Sequence, residues 1–183
     1  MPPRASLASR ALAGVIATAL AACSDAPVGD PHAPGEQLGT FAVAASLAES
    51  TCGAGALGAP DRWQFEVRLS RSGSYLYWLN GREAIPGTIA RDGASFSFDS
   101  LVRVEVEPAE RGDAGCTLVR TDRATGKLAL DDDGANGFDA DLVYGYTAEA
   151  GSDCTSVIAV EGGFHRLPCE IGYRLEAERL DGP

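Results

Sequence analysis

Oxygen ligands for a cation are concentrated in one acidic segment, residues 131–141. Its candidate calcium ligands are Asp131, Asp133, Asn136 and Asp139. Placing Asp132 at the first ligand position of an EF-hand loop puts Val143 at the twelfth, where that loop needs a bidentate glutamate. The Asp-Gly and Asn-Gly dipeptides of the segment also favour a solvated hairpin turn. We therefore expect calcium binding here to be weak or absent, and we predict no cofactor.

General-base chemistry has few candidate residues in this chain. The sequence contains two histidines, and His32 falls in a stretch rich in proline and glycine. His165 precedes the last predicted strand, where a loop histidine is commonly satisfied by water, and neither histidine is accompanied by a Gly-x-Ser-x-Gly elbow. A carboxylate pair for glycoside hydrolysis depends on distances that the sequence leaves open. We therefore predict no catalytic residues and a protein that is not an enzyme.

Four cysteines besides Cys23 indicate two disulfide bonds. They are Cys52, Cys116, Cys154 and Cys169. An even number of cysteines is typical of a chain that folds in an oxidising compartment. The alternative, a zinc site, normally needs pairs of ligands two to four residues apart, and these cysteines have no such spacing. A Cys-x-x-Cys redox pair is also absent.

Alternation of apolar and polar residues predicts β-strands through most of the chain. From Trp63 to Ser70, for example, each apolar residue is followed by a polar one. The other predicted strands cover residues 41–47, 74–79, 96–98, 102–106, 117–120, 127–130, 138–146 and 171–177. Thr125-Gly126 is interpreted as a turn between two of them. Eight or nine short strands and no long amphipathic helix indicate a single all-β domain over residues 38–180.

The first 22 residues have the pattern of an export signal. Arg4 and Arg10 supply positive charge, and the apolar run that follows, residues 11–22, is too short to span a bilayer. The run ends in Leu20-Ala21-Ala22-Cys23, which resembles the lipobox of bacterial lipoproteins. The resemblance implies cleavage before Cys23, a lipid on its thiol, and membrane attachment through that lipid. The alternative is an ordinary signal peptide with a cysteine nearby.

Residues 23–37 are predicted to form a flexible acidic tether. The stretch is rich in proline, glycine and aspartate and has little to bury. Fully extended, its 12 residues from Ser24 to Gly35 would span about 40 Å. In Gram-negative lipoproteins an aspartate directly after the lipidated cysteine marks inner-membrane retention. Because Ser24 stands there, the resemblance implies the outer membrane, on its periplasmic face or at the cell surface.

Net charge excludes some partners. The whole chain has a formal net charge of −11. Removing the signal takes away two of the 15 basic residues and none of the 26 acidic ones, which leaves about −13. Nucleic acids and anionic lipid head groups are bound by basic patches, so we expect neither as a direct partner of the domain.

Many antiparallel strands with one apolar face each bury those faces in a sandwich or in a closed barrel. The meander order favours a small closed or partly open barrel of about eight strands. Gly39-Thr40-Phe41 and Tyr173-Arg174-Leu175 resemble the Gly-x-Trp start and the late arginine-bearing strand of lipocalin-like barrels, with Phe41 in place of the tryptophan. This resemblance implies a ligand cavity. A β-sandwich is the alternative, although the Cys-Trp-Cys spacing of immunoglobulin domains is absent.

Closing the barrel also predicts the disulfide pairing. If the first strand pairs with the last, Cys52 and Cys169 meet at one rim, which leaves Cys116 to pair with Cys154. Sequence alone allows three connectivities, so the topology carries this argument. Counting strand directions allows Cys116 and Cys154 to fall at opposite rims, and residues 147–168 would then have to fold back.

Aromatic side chains give the barrel two possible functions. If the barrel is wide enough, its ring-lined interior would bind a small hydrophobic or amphipathic molecule. The candidate lining residues are Trp63, Phe65, Tyr75, Tyr77, Trp78, Tyr144 and Tyr146. The first interpretation is therefore a non-catalytic binding module for such a ligand or for an envelope protein. The alternative is a structural or interaction lipoprotein whose core is filled by the same rings.

Overall fold

The chain folds into a closed eight-stranded antiparallel β-barrel. The computed structural model describes residues 34–79, 81, 83–110, 112, 114–158 and 163–180. The strands are β1 (Glu36–Ser50), β2 (Arg62–Ser72), β3 (Tyr75–Leu79), β4 (Ile85–Ile89), β5 (Ser95–Glu107), β6 (Cys116–Asp131), β7 (Gly134–Ala148) and β8 (Cys169–Arg179). Two 3₁₀ turns, Ala56–Gly58 and Thr155–Val157, lie in the connections after β1 and β7.

Each strand pairs with its neighbours in the chain, and β1 pairs with β8 to close the barrel. Val43 lies opposite Ala177, and Leu47 lies opposite Tyr173. The predicted closed meander is confirmed, and the alternative sandwich is wrong. Closure leaves no strand edge along the length over which the strands are paired on both sides.

Alternating residues of each strand fill the interior. On β8, Ile171, Tyr173, Leu175 and Ala177 are buried, while Glu176 between them is exposed. The largest fully buried side chains of the described residues are Phe41, Phe138, Phe164, Leu69, Leu76, Ile171 and Leu175. The barrel therefore has a packed interior rather than a continuous channel.

The two ends of the barrel differ. At one end, here called the turn end, the strands are joined by tight connections such as Gly73-Ser74 and Asp132-Asp133. Strand β1 begins at this end, and β8, the last strand, ends there. At the other end, the loop end, the connections follow β1, β3, β5 and β7, and those after β1, β5 and β7 are the longest of the barrel. The segment that precedes Glu36 therefore joins the barrel at the turn end, opposite the long loops.

Both disulfides lie at the loop end. Cys52 follows β1 and bonds to Cys169 at the start of β8, with 4.9 Å between their Cα atoms. Cys116 at the start of β6 bonds to Cys154 after β7, with 4.8 Å between Cα atoms. The pairing predicted from closure is confirmed, and all four cysteines share one rim.

One local prediction is wrong, and one strand was missed. Thr125-Gly126 is no turn, because β6 runs through it and pairs with β7 from Leu118 to Asp131. A Cβ on Gly126 would lie 2.4 Å from the carbonyl oxygen of Asp139, so glycine here permits close packing of two strands. The strand β4 was not predicted, because Pro86 and Gly87 interrupt its apolar pattern.

The predicted export signal, Cys23 and the tether up to residue 33 lie outside the described residues. Glu36 and Gln37, placed in the tether by their composition, belong to β1. Within the described residues, helices long and apolar enough to cross a membrane are not found.

Candidate binding site in the barrel mouth

A small cavity, here called the aromatic cavity, opens inside the barrel toward the loop end. Its volume is about 90 Å³. It is lined by Trp63, Phe65, Trp78, Ile85, Phe98, Ser100, Asp122, Ala124, Leu142 and Tyr144. The volume is below the 300–1,000 Å³ of pockets that enclose a whole drug-sized ligand. The cavity is therefore suited to one ring-sized group or to several water molecules.

Stacked and edge-on rings form one side of the aromatic cavity. The Trp63 and Phe65 rings stack with 4.5 Å between centroids, and Phe98 meets Trp78 edge-on at 5.5 Å. These side chains come from β2, β3 and β5, whose inward positions coincide near the loop end. The indole N–H of Trp63 is buried and has no hydrogen-bond partner among the described residues. An unused buried donor is unusual in a folded protein, because it forfeits the hydrogen bond that water would supply.

An ion pair forms the polar wall of the same region. Arg120 and Asp122 are two positions apart on β6, so both project to the inside of the barrel. The guanidinium donates from Nε to Asp122 Oδ1 at 2.7 Å and from Nη2 to Oδ2 at 2.8 Å. The hydrogen bonds that Arg120 donates to Asp122 raise the pKa of the guanidinium above its usual range. The guanidinium carbon also lies 5.4 Å from the centre of the Tyr144 ring, a cation–π contact.

Two tyrosines of β7 complete the mouth as neutral phenols. Burial, reinforced by the nearby Asp122 carboxylate, raises the pKa of Tyr144 to about 12. Burial likewise raises the pKa of Tyr146. Both hydroxyls therefore stay protonated at physiological pH and can donate or accept hydrogen bonds.

A second hollow, the rim hollow, lies directly outside the aromatic cavity and shares Trp63 and Tyr144 with it. Its volume is about 280 Å³. The remaining lining residues are Leu57, Gly58, Ala59, Pro60, Arg120, Tyr146, Ile171 and Tyr173. The Tyr173 hydroxyl donates to the Pro60 carbonyl oxygen at 3.1 Å, which holds the loop after β1 against the barrel. The two hollows thus form one mouth, with an apolar inner part and a more polar outer part.

Five of the seven predicted lining residues lie in this mouth. Trp63, Phe65, Trp78 and Tyr144 border the aromatic cavity, and Tyr146 borders the rim hollow. Tyr75 and Tyr77 line neither of these two hollows. On β3 the buried positions of the core are Leu76 and Trp78, so the alternation directs the two tyrosines outward. Tyr75 is 54% exposed.

The polar wall was missed by sequence reasoning. Arg120 and Asp122 look like ordinary outward charges when β6 is divided at Thr125-Gly126. Counting in steps of two between the buried residues Leu118 and Leu128 places both charges on the inner face. This two-residue spacing was the sequence signal that could have placed Arg120 and Asp122 inside the barrel. It could be used only if β6 was treated as one strand.

The acidic segment forms the β6–β7 hairpin at the turn end, far from the mouth. Asp131 accepts hydrogen bonds from the Asp133 backbone N–H at 2.9 Å and from the Asn136 side-chain amide at 2.8 Å. Asp139 lies further along β7, opposite Lys127 and Glu176. Across the described residues, no group of three or more histidine, cysteine, aspartate or glutamate side chains is placed to hold a metal ion.

His165 lies outside both hollows. Its backbone N–H donates to the Cys52 carbonyl oxygen at 2.7 Å, and its ring packs so closely on Gly53 that a Cβ there would come within 2.6 Å of it. The imidazole is therefore part of the packing around the Cys52–Cys169 bridge.

Comparison of the chain with protein-family models, with curated proteins and with solved structures finds no significant match.

Proposed function

We propose that this protein is an exported lipoprotein, anchored through Cys23, whose barrel binds a small molecule in its mouth without catalysis. The observation that carries the binding proposal is the aromatic cavity beside the Arg120–Asp122 pair. The two disulfides support export, because such bonds persist in oxidising compartments. The Leu20-Ala21-Ala22-Cys23 sequence supports the anchor, and Ser24 supports the outer membrane.

The position of the mouth suits a tethered binding protein. The chain joins the barrel at the turn end through Glu36, and the mouth opens at the loop end. An anchor at Cys23 would therefore leave the mouth on the side of the barrel opposite the point of attachment. A ligand would reach it from the aqueous phase rather than from the bilayer.

The shape and polarity of the mouth define the ligand. A ring-sized apolar group fits between Trp63 and Phe98 in the inner part. The rest of the molecule would lie in the rim hollow, near Arg120 and the Tyr146 hydroxyl. Because Asp122 already neutralises the guanidinium, a neutral ligand with hydrogen-bonding groups suits the site better than a strongly charged one. We therefore propose a small amphipathic molecule with one or two rings.

Binding without reaction agrees with the protonation states of the mouth. Tyr144 and Tyr146 remain neutral because burial raises the pKa of each phenol. Both oxygens of Asp122 accept hydrogen bonds from Arg120, which makes this carboxylate a poor general base. These groups are suited to orienting a ligand rather than to transferring its protons.

Lipid anchoring is tested by labelling cells that express the full chain with a fatty acid. Wild type should take up the label and Cys23→Ala should not. Ser24→Ala serves as the matched control and should label normally. Ser24→Asp should label equally but move from the outer to the inner membrane on a density gradient. A wild-type protein that takes up no label and fractionates as soluble would refute the anchor.

Ligand binding is tested with phenol, a single ring with one hydroxyl. The indole N–H resonances of Trp63 and Trp78 should shift on titration, with a dissociation constant on the order of a millimolar for so small a probe. Ser100→Phe places a ring in the cavity from its own lining and should abolish the shifts. Leu101→Phe, the exposed neighbour on the same strand, should leave them unchanged.

The second candidate function is a structural or interaction lipoprotein with no ligand. The observation that favours it is the packed interior, in which the Phe41, Phe96 and Trp78 rings all contact Phe138. Equal phenol responses for Ser100→Phe and wild type would favour this second function over ligand binding.

A further inference from the structure

Strand β5 extends beyond its neighbour β4 at the loop end. Its pairing with β4 ends where Phe98 meets Gly87. Beyond that point, Asp99 to Glu107 pair with β6 alone in the described part of the chain. These nine of the thirteen residues of β5 therefore form an edge strand, with alternate N–H and C=O groups directed away from β6.

Apolar side chains are exposed along this free segment. Leu101 is 55% exposed, Val102 37%, and Val104 and Val106 42% each. Arg103 and Glu105 alternate with them and are also exposed. Exposed edges are usually protected by short length, by proline or by charged side chains, especially lysine. Residues 99–107 contain neither proline nor lysine, and they have a bulge between Glu105 and Glu107 and both acidic and basic side chains.

The charges of the segment are complementary to the same segment in reverse. In an antiparallel pair of two β5 strands with Val104 opposite Val104 of a second copy, each Arg103 lies opposite a Glu105. Val102 then lies opposite Val106, the residue at which β5 bulges in its pairing with β6, so apolar residues also meet apolar residues. Opposite charges and β-branched residues directly across two antiparallel strands stabilise the pair. A shift of this register by two residues would bring Arg103 opposite Arg103 of the second copy, and like charges directly opposite destabilise a strand pair.

We infer that the free edge of β5 is a self-association site, at which two copies of this chain pair antiparallel about Val104. This inference is independent of the ligand and of the lipid anchor. It joins the two barrels through main-chain hydrogen bonds, a mode of β-strand addition in which side-chain register determines the partner. Arg103 also bonds to Glu149 of its own chain at 2.7 Å, but its side chain is 63% exposed and its remaining N–H groups are available.

Cysteine cross-linking tests the register directly. Residues directly opposite in an antiparallel pair have Cα atoms about 4.5 or 5.5 Å apart, within the range that a disulfide spans. The full chain carrying Val104→Cys should therefore become a covalent dimer under mild oxidation. Thr125→Cys is the control, because this exposed position lies on β6 where strands pair on both sides. No dimer from Val104→Cys, or equal dimer from both variants, would overturn the inference.

Charge exchange tests the partner. In the Val104→Cys background, Arg103→Glu and Glu105→Arg should each lower the dimer yield about tenfold. Each substitution gives residues 103 and 105 the same charge, and each of these residues lies opposite the other residue of the second copy, so like charges meet at two positions. Mixing the two variants, carried on chains with different tags, should restore mixed dimers, since every charge then faces its opposite. Mixed dimers no more abundant than self-dimers would mean that β5 does not pair in this register.

Discussion

Replacing Phe138 with alanine should remove a large part of the stability of the barrel. The Phe138 side chain is 1% exposed, and its ring lies 5.7 Å from the centroids of both Phe41 and Trp78 and 5.8 Å from that of Phe96. It therefore joins rings from β1, β3 and β5 across the interior. Buried Phe-to-Ala substitutions cost about 3–5 kcal/mol, and the loss of several ring contacts places Phe138 toward the upper end.

Urea unfolding of the disulfide-intact protein measures this cost. The midpoint should fall for Phe138→Ala while the slope stays constant, since the surface exposed on unfolding hardly changes. Phe138→Leu keeps most of the buried area and should lose only about 1.5 kcal/mol. This milder variant keeps the comparison informative if Phe138→Ala does not fold.

The neighbouring residue provides the control. Asp139 is exposed on the outer face of β7, so Asp139→Ala should change the free energy of unfolding by less than about 0.5 kcal/mol. A slip of one residue in the β7 register would exchange the faces of these two residues. A cost for Asp139→Ala equal to that for Phe138→Ala would refute the register on which the mouth is built.

Three further predictions concern a turn, a close contact and a phenol. Hydrogen bonds from the Ser95 hydroxyl and from two backbone N–H groups lower the pKa of Asp92 to about 2, so the stability it contributes is present above about pH 4 and is lost as the pH falls to about 2. Asp92→Asn should therefore be less stable than wild type at pH 7 in urea titrations, and the difference should shrink as the pH falls through about 2. Gly126→Ala should lower the free energy of unfolding by about 1–3 kcal/mol in the same assay, because its Cβ would meet backbone 2.4 Å away. Gly81→Ala should change it little, because the space around Gly81 is open. In an ultraviolet titration one tyrosine should ionise near pH 12, and Tyr144→Phe should remove that step; ionisation of every tyrosine near pH 10 would contradict the buried mouth.

The barrel was predictable because its strands alternate so regularly. On β2 the apolar members Trp63, Phe65, Val67 and Leu69 all face inward. Closure of such a meander brings the first and last strands together, and this alone was enough to pair Cys52 with Cys169. The position of the second bridge was ambiguous only because the assumed turn at Thr125-Gly126 reversed the strand direction. With β6 continuous, Cys116 and Cys154 share the loop end.

Other features depend on relations between strands that one sequence does not display. The alternation of Val102, Val104 and Val106 would be the same in a half-buried strand and in an edge strand. This segment of β5 is an edge because β4 is too short to pair with it. Tyr77 and Trp78 are equally apolar neighbours, and only the register with β2 and β4 determines which of them faces inward. The volume of the mouth depends likewise on which rings meet, and not on how many the chain contains.

The proposal that the mouth holds a small molecule is tested most directly by native mass spectrometry of the protein purified from its host under mild conditions. Wild type should carry, besides its lipid, one additional non-covalent mass of a few hundred daltons at most, and Ser100→Phe should carry the lipid alone. Identical masses for wild type and Ser100→Phe, both accounted for by the lipidated chain, would contradict the proposed ligand and leave the mouth as part of a filled barrel.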